Sequence, residues 1–270
     1  MVTTQESLLF RSGDPNFMTS LVRGLEVLRS FSNGDGQLTA GQICQRTELS
    51  RAVVRRCLYT LAEAGYVRRE GERFQLEVKV LSLAQPYYSA ANSLPTIAQP
   101  FLETLSQEIQ ESCSLAVLDG DEVVYVARAA TQRIMTVSLG IGSRLPSNYT
   151  SLGRALLSAL SRSELEHYLQ SNPLERHTPK SIVHKREWIK AIESISESGY
   201  AIVDQELEIG LRSIAVPIRA ENSTVVAAMN VGVNANRVSN AQLRSRILPP
   251  LQRTVARLSD RLQQIPGSAR

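Results

Sequence analysis

Cysteine is scarce in this chain, with three in 270 residues, at positions 44, 57 and 113. An odd, scattered set builds no disulfide framework. Cys44 and Cys57 fall on apolar helix faces, so the thiols read as reduced residues of a cytoplasmic protein. Histidine is equally sparse. His167, His177 and His184 fit no common zinc spacing, and no cysteine stands near them. No metal and no cofactor is expected. Ser151 is not in a G-x-S-x-G elbow, and no serine, histidine and acid grouping is apparent. No apolar run approaches the ~18 residues of a membrane span, and no signal peptide opens the chain. A cytoplasmic protein without a membrane partner is the expectation. Lysine is rare too: of 30 basic residues only Lys79, Lys180, Lys185 and Lys190 are lysines. Arginine suits bidentate contacts to phosphate and guanine, although a GC-rich genome has the same effect on usage.

What is present is a full core and a positive balance. Hydrophobic residues make up 43% of the chain, the net charge is +4 and the pI is near 9.1. The length suggests two domains, and the charge fits a nucleic-acid partner without requiring one.

The stretch Leu49 to Gly65, LSRAVVRRCLYTLAEAG, organises the rest. Ser50 suits a helix N-cap. Val54, Cys57, Leu58 and Leu61 recur at i, i+3, i+4 and i+7, which makes one apolar stripe. Arg51, Arg55, Arg56 and Tyr59 stand opposite. An apolar back and a basic front are what a recognition helix needs to sit in the major groove. Upstream, Thr39 to Thr47 reads as a short helix capped by Thr39, with Ile43 and Cys44 inward. Two short helices joined by three or four residues are a helix-turn-helix. Downstream, Tyr66–Arg69 and Arg73–Leu76 flank Glu70-Gly71-Glu72, a β-hairpin signal, and a basic hairpin after a recognition helix is a wing. The expected DNA-facing residues are Thr39, Gln42, Ser50, Arg51, Ala52, Val53, Arg55, Arg56 and Tyr59, with Arg68, Arg69 and Arg73 on the wing. The bland alternative is a small helical core with a solvated charged face.

The remaining chain divides as follows. Residues 1–17 are polar and aperiodic, a flexible arm. Thr19 to Phe31 predicts a helix with Leu21, Leu25, Leu28 and Phe31 inward, ended by Ser32-Asn33-Gly34-Asp35-Gly36. The DNA-binding domain spans 18–78. A linker helix covers 79–93, interrupted at Pro86, with more apolar surface than one domain can cover and so a natural dimer contact. A second domain spans 94–266. It opens with a helix over Pro95 to Glu111, with Ile97, Phe101, Leu105 and Ile109 spaced by four. Asp119-Gly120-Asp121 is a hairpin turn. Met135–Leu139, Ser213–Pro217 and Val225–Val231 read as strands, the last two joined at Ala220–Ser223. Helices are expected from Thr150, over Ser161–Leu169 and over Lys185–Ser198. A long helix over about Asn240–Gln263 carries Leu243, Ile247, Leu251, Val255, Leu258 and Leu262 inward and bends at Pro249-Pro250. Its arginines, Arg244, Arg246, Arg253, Arg257 and Arg261, are expected in solvent. The result is an antiparallel sheet with segregated helices, an α+β sensor-type domain. Asp204, Glu206 and Glu208 could be paired acids or metal ligands. A solvated edge, or a partner for Arg212, is the commoner reason for such a run.

Four blocks resemble the IclR family of bacterial transcriptional regulators: LSRAVVRRCLYTLAEAGYV at Leu49–Val67, DGDEVVYVAR at Asp119–Arg128, LGIGSRLPSNYTSLGRALL at Leu139–Leu157 and GYAIVDQELEIGLRSIAVP at Gly199–Pro217. Gly13-Asp14-Pro15 and the run Asp204–Glu208 resemble the branch that regulates β-ketoadipate pathway genes in response to protocatechuate, 4-hydroxybenzoate or β-ketoadipate. The resemblance implies a winged helix-turn-helix, a linker helix and a profilin- or GAF-like effector domain, acting as homodimer or homotetramer on palindromic operator DNA. It implies a small aromatic or dicarboxylic acid effector, held by Thr150, Ser151, Leu152 and Gly153 and by Val203, Leu211, Ser213 and Asn230. Many members carry aspartate where this chain has Val203 and cysteine where it has Ser213. Loss of that acid suits an anionic ligand. The amides of Ser151–Gly153, at a helix N-terminus, could hold a carboxylate; alternatively Gly153 only permits close packing. The other functional reading is an enzyme acting on a small aromatic acid, with an accessory helix-turn-helix.

Overall fold

The computed structural model describes residues 14–32, 36–89, 93–131, 139–220 and 224–264. The chain divides into two compact units, Met1–Ser89 and Ala90–Arg270. Most of the strand expected over Met135–Leu139, most of the N-terminal arm, the centre of the Ser32–Gly36 breaker and most of the Ala220–Ser223 turn lie outside the described residues.

The first unit runs α1 (Thr19–Arg29), β1 (Gln37–Thr39), α2 (Ala40–Thr47), α3 (Arg51–Glu63), β2 (Val67–Glu70), β3 (Arg73–Leu76) and α4 (Leu81–Ser89). Val27, Phe31, Leu38, Ile43, Leu49, Val54, Leu58 and Val67 form its core. Val27 with Leu28 on α1, and Phe31 in the turn just after it, meet this core, whereas Leu21 and Leu25 are 57% and 48% exposed. Placing those two leucines inside was wrong, because Val27 already meets the core and the leucines lie round the other side of the helix. Thr39 caps α2 in a reciprocal capping box with Gln42. Glu48 turns the chain in the left-handed region, at φ 57°. Ser50 occupies the N-cap position of α3 but makes no side-chain cap bond. Only its carbonyl enters the helix ladder, accepting from Val54 N–H. The hairpin β2–β3 forms as expected, and β1 joins it through pairs such as Leu38 with Phe74. Three residues are too few to show alternation, so β1 was not read from the sequence. Pro86 does not interrupt the linker: it lies inside α4, losing one ladder bond while its neighbours continue the turn.

The second unit runs α5 (Leu94–Ile109), β4 (Ser112–Asp119), β5 (Glu122–Ala129), β6 (Arg144–Pro146), α6 (Ser151–Leu157), α7 (Arg162–Ser171), α8 (Lys185–Ser198), β7 (Ala201–Asp204), β8 (Leu211–Arg219) and β9 (Val225–Asn234). A helical turn over Asn240–Gln242 and a π turn over Leu243–Ile247 lead into α9 (Leu248–Gln263). Pro249 and Pro250 fall in the first turn of α9, where missing amides cost least. The irregularity they were expected to cause appears as the π turn just before them.

Six antiparallel strands are ordered β6-β5-β4-β9-β8-β7. Alternation makes the two faces unequal. Cys113, Leu115, Ile214, Val216, Ile218, Met229, Val231 and Val233 point to one face and pack under α5 and α9. On α5 the fully buried stripe is Ala98, Leu102 and Leu105, with Ile97, Phe101 and Ile109 at its margins. The opposite face carries small side chains: Ser112, Ser114, Ala116, Ser213, Ala215, Ala228, Asn230 and Gly232. There α6, α7 and α8 pack on Ala116, Ala215, Ala228 and Tyr125, with Trp188 fully buried. Where the floor turns from alanine to serine, asparagine and glycine, the layers part.

Candidate functional site

Two places answer to the expected sites. In the first unit a groove runs between α3, the start of α2 and the hairpin. Thr39, Arg51, Arg55, Tyr59 and Arg69 line it, with Phe74 and one acid, Glu72. Arg51, Arg55 and Tyr59 recur every four residues along one helix face. Arg69 is held across the groove, its Nε donating to the Gly71 carbonyl at 2.8 Å and its guanidinium 5.9 Å from the Phe74 ring. The first turn of α3, which has no side-chain cap, adds the positive end of a helix.

The other expected DNA residues separate by structure. Ser50, Ala52 and Arg56 are exposed but outside this groove. Val53 is partly buried against the core, so its side chain serves packing. Gln42 is exposed, and its amide oxygen is occupied by the Thr39 cap. Arg68 turns to the wing's own acids, reaching Glu70 at 3.1 Å and Glu77 at 3.2 Å. Arg73 is exposed at the hairpin turn.

In the second unit a partly enclosed cavity opens above the small-residue floor. Of the residues named for the effector, Thr150, Val203, Leu211, Ser213 and Asn230 line it. Ser151, Leu152 and Gly153 do not. All seven residues of α6 are buried, and Leu152 belongs to the core under the helices. The Gly153 amide is taken by the Thr150 hydroxyl at 3.1 Å. A Cβ on Gly153 would overlap the backbone of Ser147, so the packing reason for this glycine is the one the structure bears out. The carboxylate cradle expected at this helix end is withdrawn on those grounds.

The rest of the lining was not read from the sequence: Ser112, Ser114, Tyr125, Arg128, Leu139, Leu145, Tyr149, Glu206, Leu207 and Gly232. Arg128 is opposite Ser114 across β4–β5, and Ser114 is opposite Asn230 across β4–β9. Arg128 Nη1 donates to Ser114 Oγ at 2.8 Å. It has no carboxylate partner among the described residues. A partly buried cation without a counter-charge is costly unless something else solvates it. Burial pushes the Tyr125 phenol up to about 12, so it stays a neutral hydroxyl. Burial likewise raises Tyr149, whose oxygen accepts from Glu175 N–H. Leu139, Leu145, Val203 and Leu211 make the walls apolar.

The acidic run after β7 divides too. Asp204 is the expected partner of Arg212, bonded at 2.9 and 3.0 Å. Burial opposes its charge, but bonds from Arg212, Gln205 and Asn240 outweigh this and hold the carboxyl below its usual value. Glu206 is no solvated edge. It is buried and bidentate with Arg154, at 2.7 and 2.6 Å. Among the described residues no group of acids, histidines and cysteines could hold a metal, and no described helix is long and apolar enough to cross a membrane.

Comparison with known proteins agrees in both units. The IclR helix-turn-helix domain matches residues 20–71, and the bacterial transcriptional regulator IclR C-terminal domain matches residues 86–260. The Pca regulon regulatory protein of Pseudomonas putida is 43% identical over 241 residues, 89% of this chain and 82% of that protein. A transcriptional regulator crystal structure from a Rhodococcus species is 42% identical, has a TM-score of 0.79 and covers 92% of this chain and 99% of its own. The inducer-binding domain of the Acinetobacter transcription factor PobR, a double mutant in complex with 3-hydroxybenzoic acid, is 34% identical with a TM-score of 0.58, covering 61% of this chain and 97% of its own.

Proposed function

The chain belongs to the IclR family of bacterial transcriptional regulators, and from that premise we propose that a small carboxylate entering the second unit's cavity controls its grip on operator DNA. It is a ligand-responsive, DNA-binding regulator, and its relatives carry the names of regulators rather than enzymes. The proposed ligand is an aromatic acid such as 4-hydroxybenzoate or protocatechuate, or a ring-cleavage dicarboxylate such as β-ketoadipate. One observation carries this reading: Arg128 stands on the cavity floor with hydroxyl neighbours, apolar walls and no acid of its own. A carboxylate completes its hydrogen bonding, and a ring fits the leucine and valine walls. Names and contents of relatives support it, since they include Pca regulators and a hydroxybenzoate-bound domain. The protein works in the cytoplasm, where bacterial operators are. A homo-oligomer is supported by exposed leucines in the first unit, Leu81 at 68% and Leu83 at 56% besides Leu21 and Leu25. That much apolar exposure asks for a partner surface.

A thermal-shift panel of these acids tests the ligand class. At one hundred times Kd a ligand adds about 2.7 kcal/mol to the state that binds it, a shift easily measured. A protein whose melting is unmoved by every acid does not use the cavity this way.

Charge within the cavity should matter in sign. Val203→Asp places a carboxylate on the wall and, at a lowered effective dielectric, should weaken binding of the acid at least tenfold, about 1.4 kcal/mol. Titration calorimetry on the full chain reads this directly. Unchanged affinity in a folded variant moves the ligand elsewhere.

For DNA, the groove separates the arginines. Losing one phosphate contact lowers the slope of log affinity against log salt by about 0.9. Arg55→Ala and Arg69→Ala should each do so on any duplex, whereas Arg68→Ala, already bound to its own acids, should not. Anisotropy titrations across a salt series decide it, and equal slopes for all four proteins would remove α3 and the wing from the interface.

A further inference from the structure

We infer that Arg154 sets the charge preference of the cavity, by neutralising the Glu206 carboxylate that would otherwise repel an anionic ligand. The inference rests on the proposed carboxylate ligand and asks how a cavity with an acid in its wall accepts one. Glu206 lines the cavity beside Tyr149, Thr150 and Leu207. Both its oxygens are taken by the guanidinium of Arg154, which does not line the cavity, and the two side chains are only 8% and 3% exposed. Water cannot screen an acid so placed, so its field is set by whatever it is paired with. Paired, it adds almost nothing to the cavity potential and Arg128 dominates. Unpaired, it would oppose Arg128.

Glu206 is also held in place independently of Arg154. Ser181 Oγ donates to the Glu206 carbonyl at 2.7 Å, Thr178 Oγ1 donates to the Gln205 carbonyl at 2.7 Å, and Ile182 N–H donates to Glu206 Oε2 at 3.1 Å. With Arg154 removed, these three bonds still hold the backbone at Glu206 and one of its carboxylate oxygens, while its charge balance changes. Arg154 is a positioning residue in this sense: it acts on the ligand through Glu206.

The two halves of the pair then have opposite effects on an anion. The probe is whichever acid of the panel binds, for instance 4-hydroxybenzoate, measured beside its uncharged amide on the full chain by calorimetry. Arg154→Met should reduce the preference for acid over amide by about tenfold or more. Glu206→Gln should raise that preference above wild type, because the Arg154 cation then stands behind the cavity wall with no carboxylate to cancel it. The double variant should return the preference to near the wild-type value, and Arg154→Lys should largely keep it. A role confined to holding the fold predicts otherwise: acid and amide weaken together, and both single variants shift in the same direction. That outcome overturns the inference and leaves the ligand class intact. If Arg154→Met does not fold, Glu206→Gln and Arg154→Lys still decide, since only the charge argument makes Glu206→Gln favour the acid. A wild-type protein that binds none of the acids overturns the ligand class itself, and this inference with it.

Discussion

Replacing Arg128 by methionine should weaken binding of the carboxylate ligand about 30-fold or more, while duplex binding in the absence of ligand stays as it was. The estimate comes from the general cost of truncating one partner of a buried, hydrogen-bonded charge pair, about 2–5 kcal/mol. Methionine keeps most of the aliphatic volume, so the floor made by Ser114, Asn230 and Gly232 is not left with a large void. What is lost is the fork: one arm rests on Ser114 Oγ, and the residue lines the cavity. Lysine at this position keeps the charge but cannot keep both the bond to Ser114 and a bidentate grip on the ligand. Its loss should be intermediate. The uncharged amide of the same ligand should be far less sensitive, because it never depended on the cation. Calorimetry with acid and amide separates these cases. An Arg128→Met protein that binds the acid as tightly as wild type would show that the anion sits at another part of the cavity, or in none.

Nothing local in the sequence marks Arg128 as a cavity residue. It is the next-to-last residue of β5, one residue past Ala127, where the alternation after Asp119-Gly120-Asp121 stops. A single strand, however, does not say which of its two faces meets a void. That knowledge lies in the register of three strands, which sets Arg128, Ser114 and Asn230 side by side although they are remote in sequence. The signal was there in weak form: alternate positions of β4, β8 and β9 hold serine, alanine, asparagine and glycine while their neighbours hold leucine, isoleucine, methionine and valine. Small residues on one face of adjacent strands mark a shallow floor. The recognition helix and wing were legible because their evidence is local: an apolar stripe at helical spacing, a capped helix ahead of it, and a hairpin turn behind. Glu206 was misread for the opposite reason. Asp204, Glu206 and Glu208 look alike in sequence, and only the fold brings Arg154 to one of them and Arg212 to another. The helix after the extended loop was located correctly. Its role was not, because a helix start with glycine in its first turn suits either a carboxylate cradle or close packing, and only the fold shows every residue from Ser151 to Leu157 buried.

Gly153→Ala is the sharpest test of that last point. If this glycine served only to expose amides to a ligand, a methyl group would cost affinity and little stability. The structure implies the reverse. A Cβ at 153 meets the Cα and carbonyl oxygen of Ser147, which are backbone atoms and cannot step aside as a flexible side chain can. Ser147 is itself fixed, since its amide and its hydroxyl both donate to the Asp121 carbonyl. Overpacking a dense interior typically costs 1–3 kcal/mol, and a clash against backbone belongs at or above the top of that range, about 3 kcal/mol. For a unit of this size each kcal/mol shifts the melting temperature by roughly 2–4 °C, so the second unit should melt about 6–12 °C lower. Scanning calorimetry of the full chain measures this. Gly232→Ala is the control, because a Cβ there meets nothing within 4 Å and the backbone is not left-handed. Its methyl group would stand on the cavity floor, so that variant should melt near wild type and lose ligand affinity instead. A Gly153→Ala protein as stable as wild type would return α6 to the list of ligand-binding elements and take from Gly153 the packing role assigned to it.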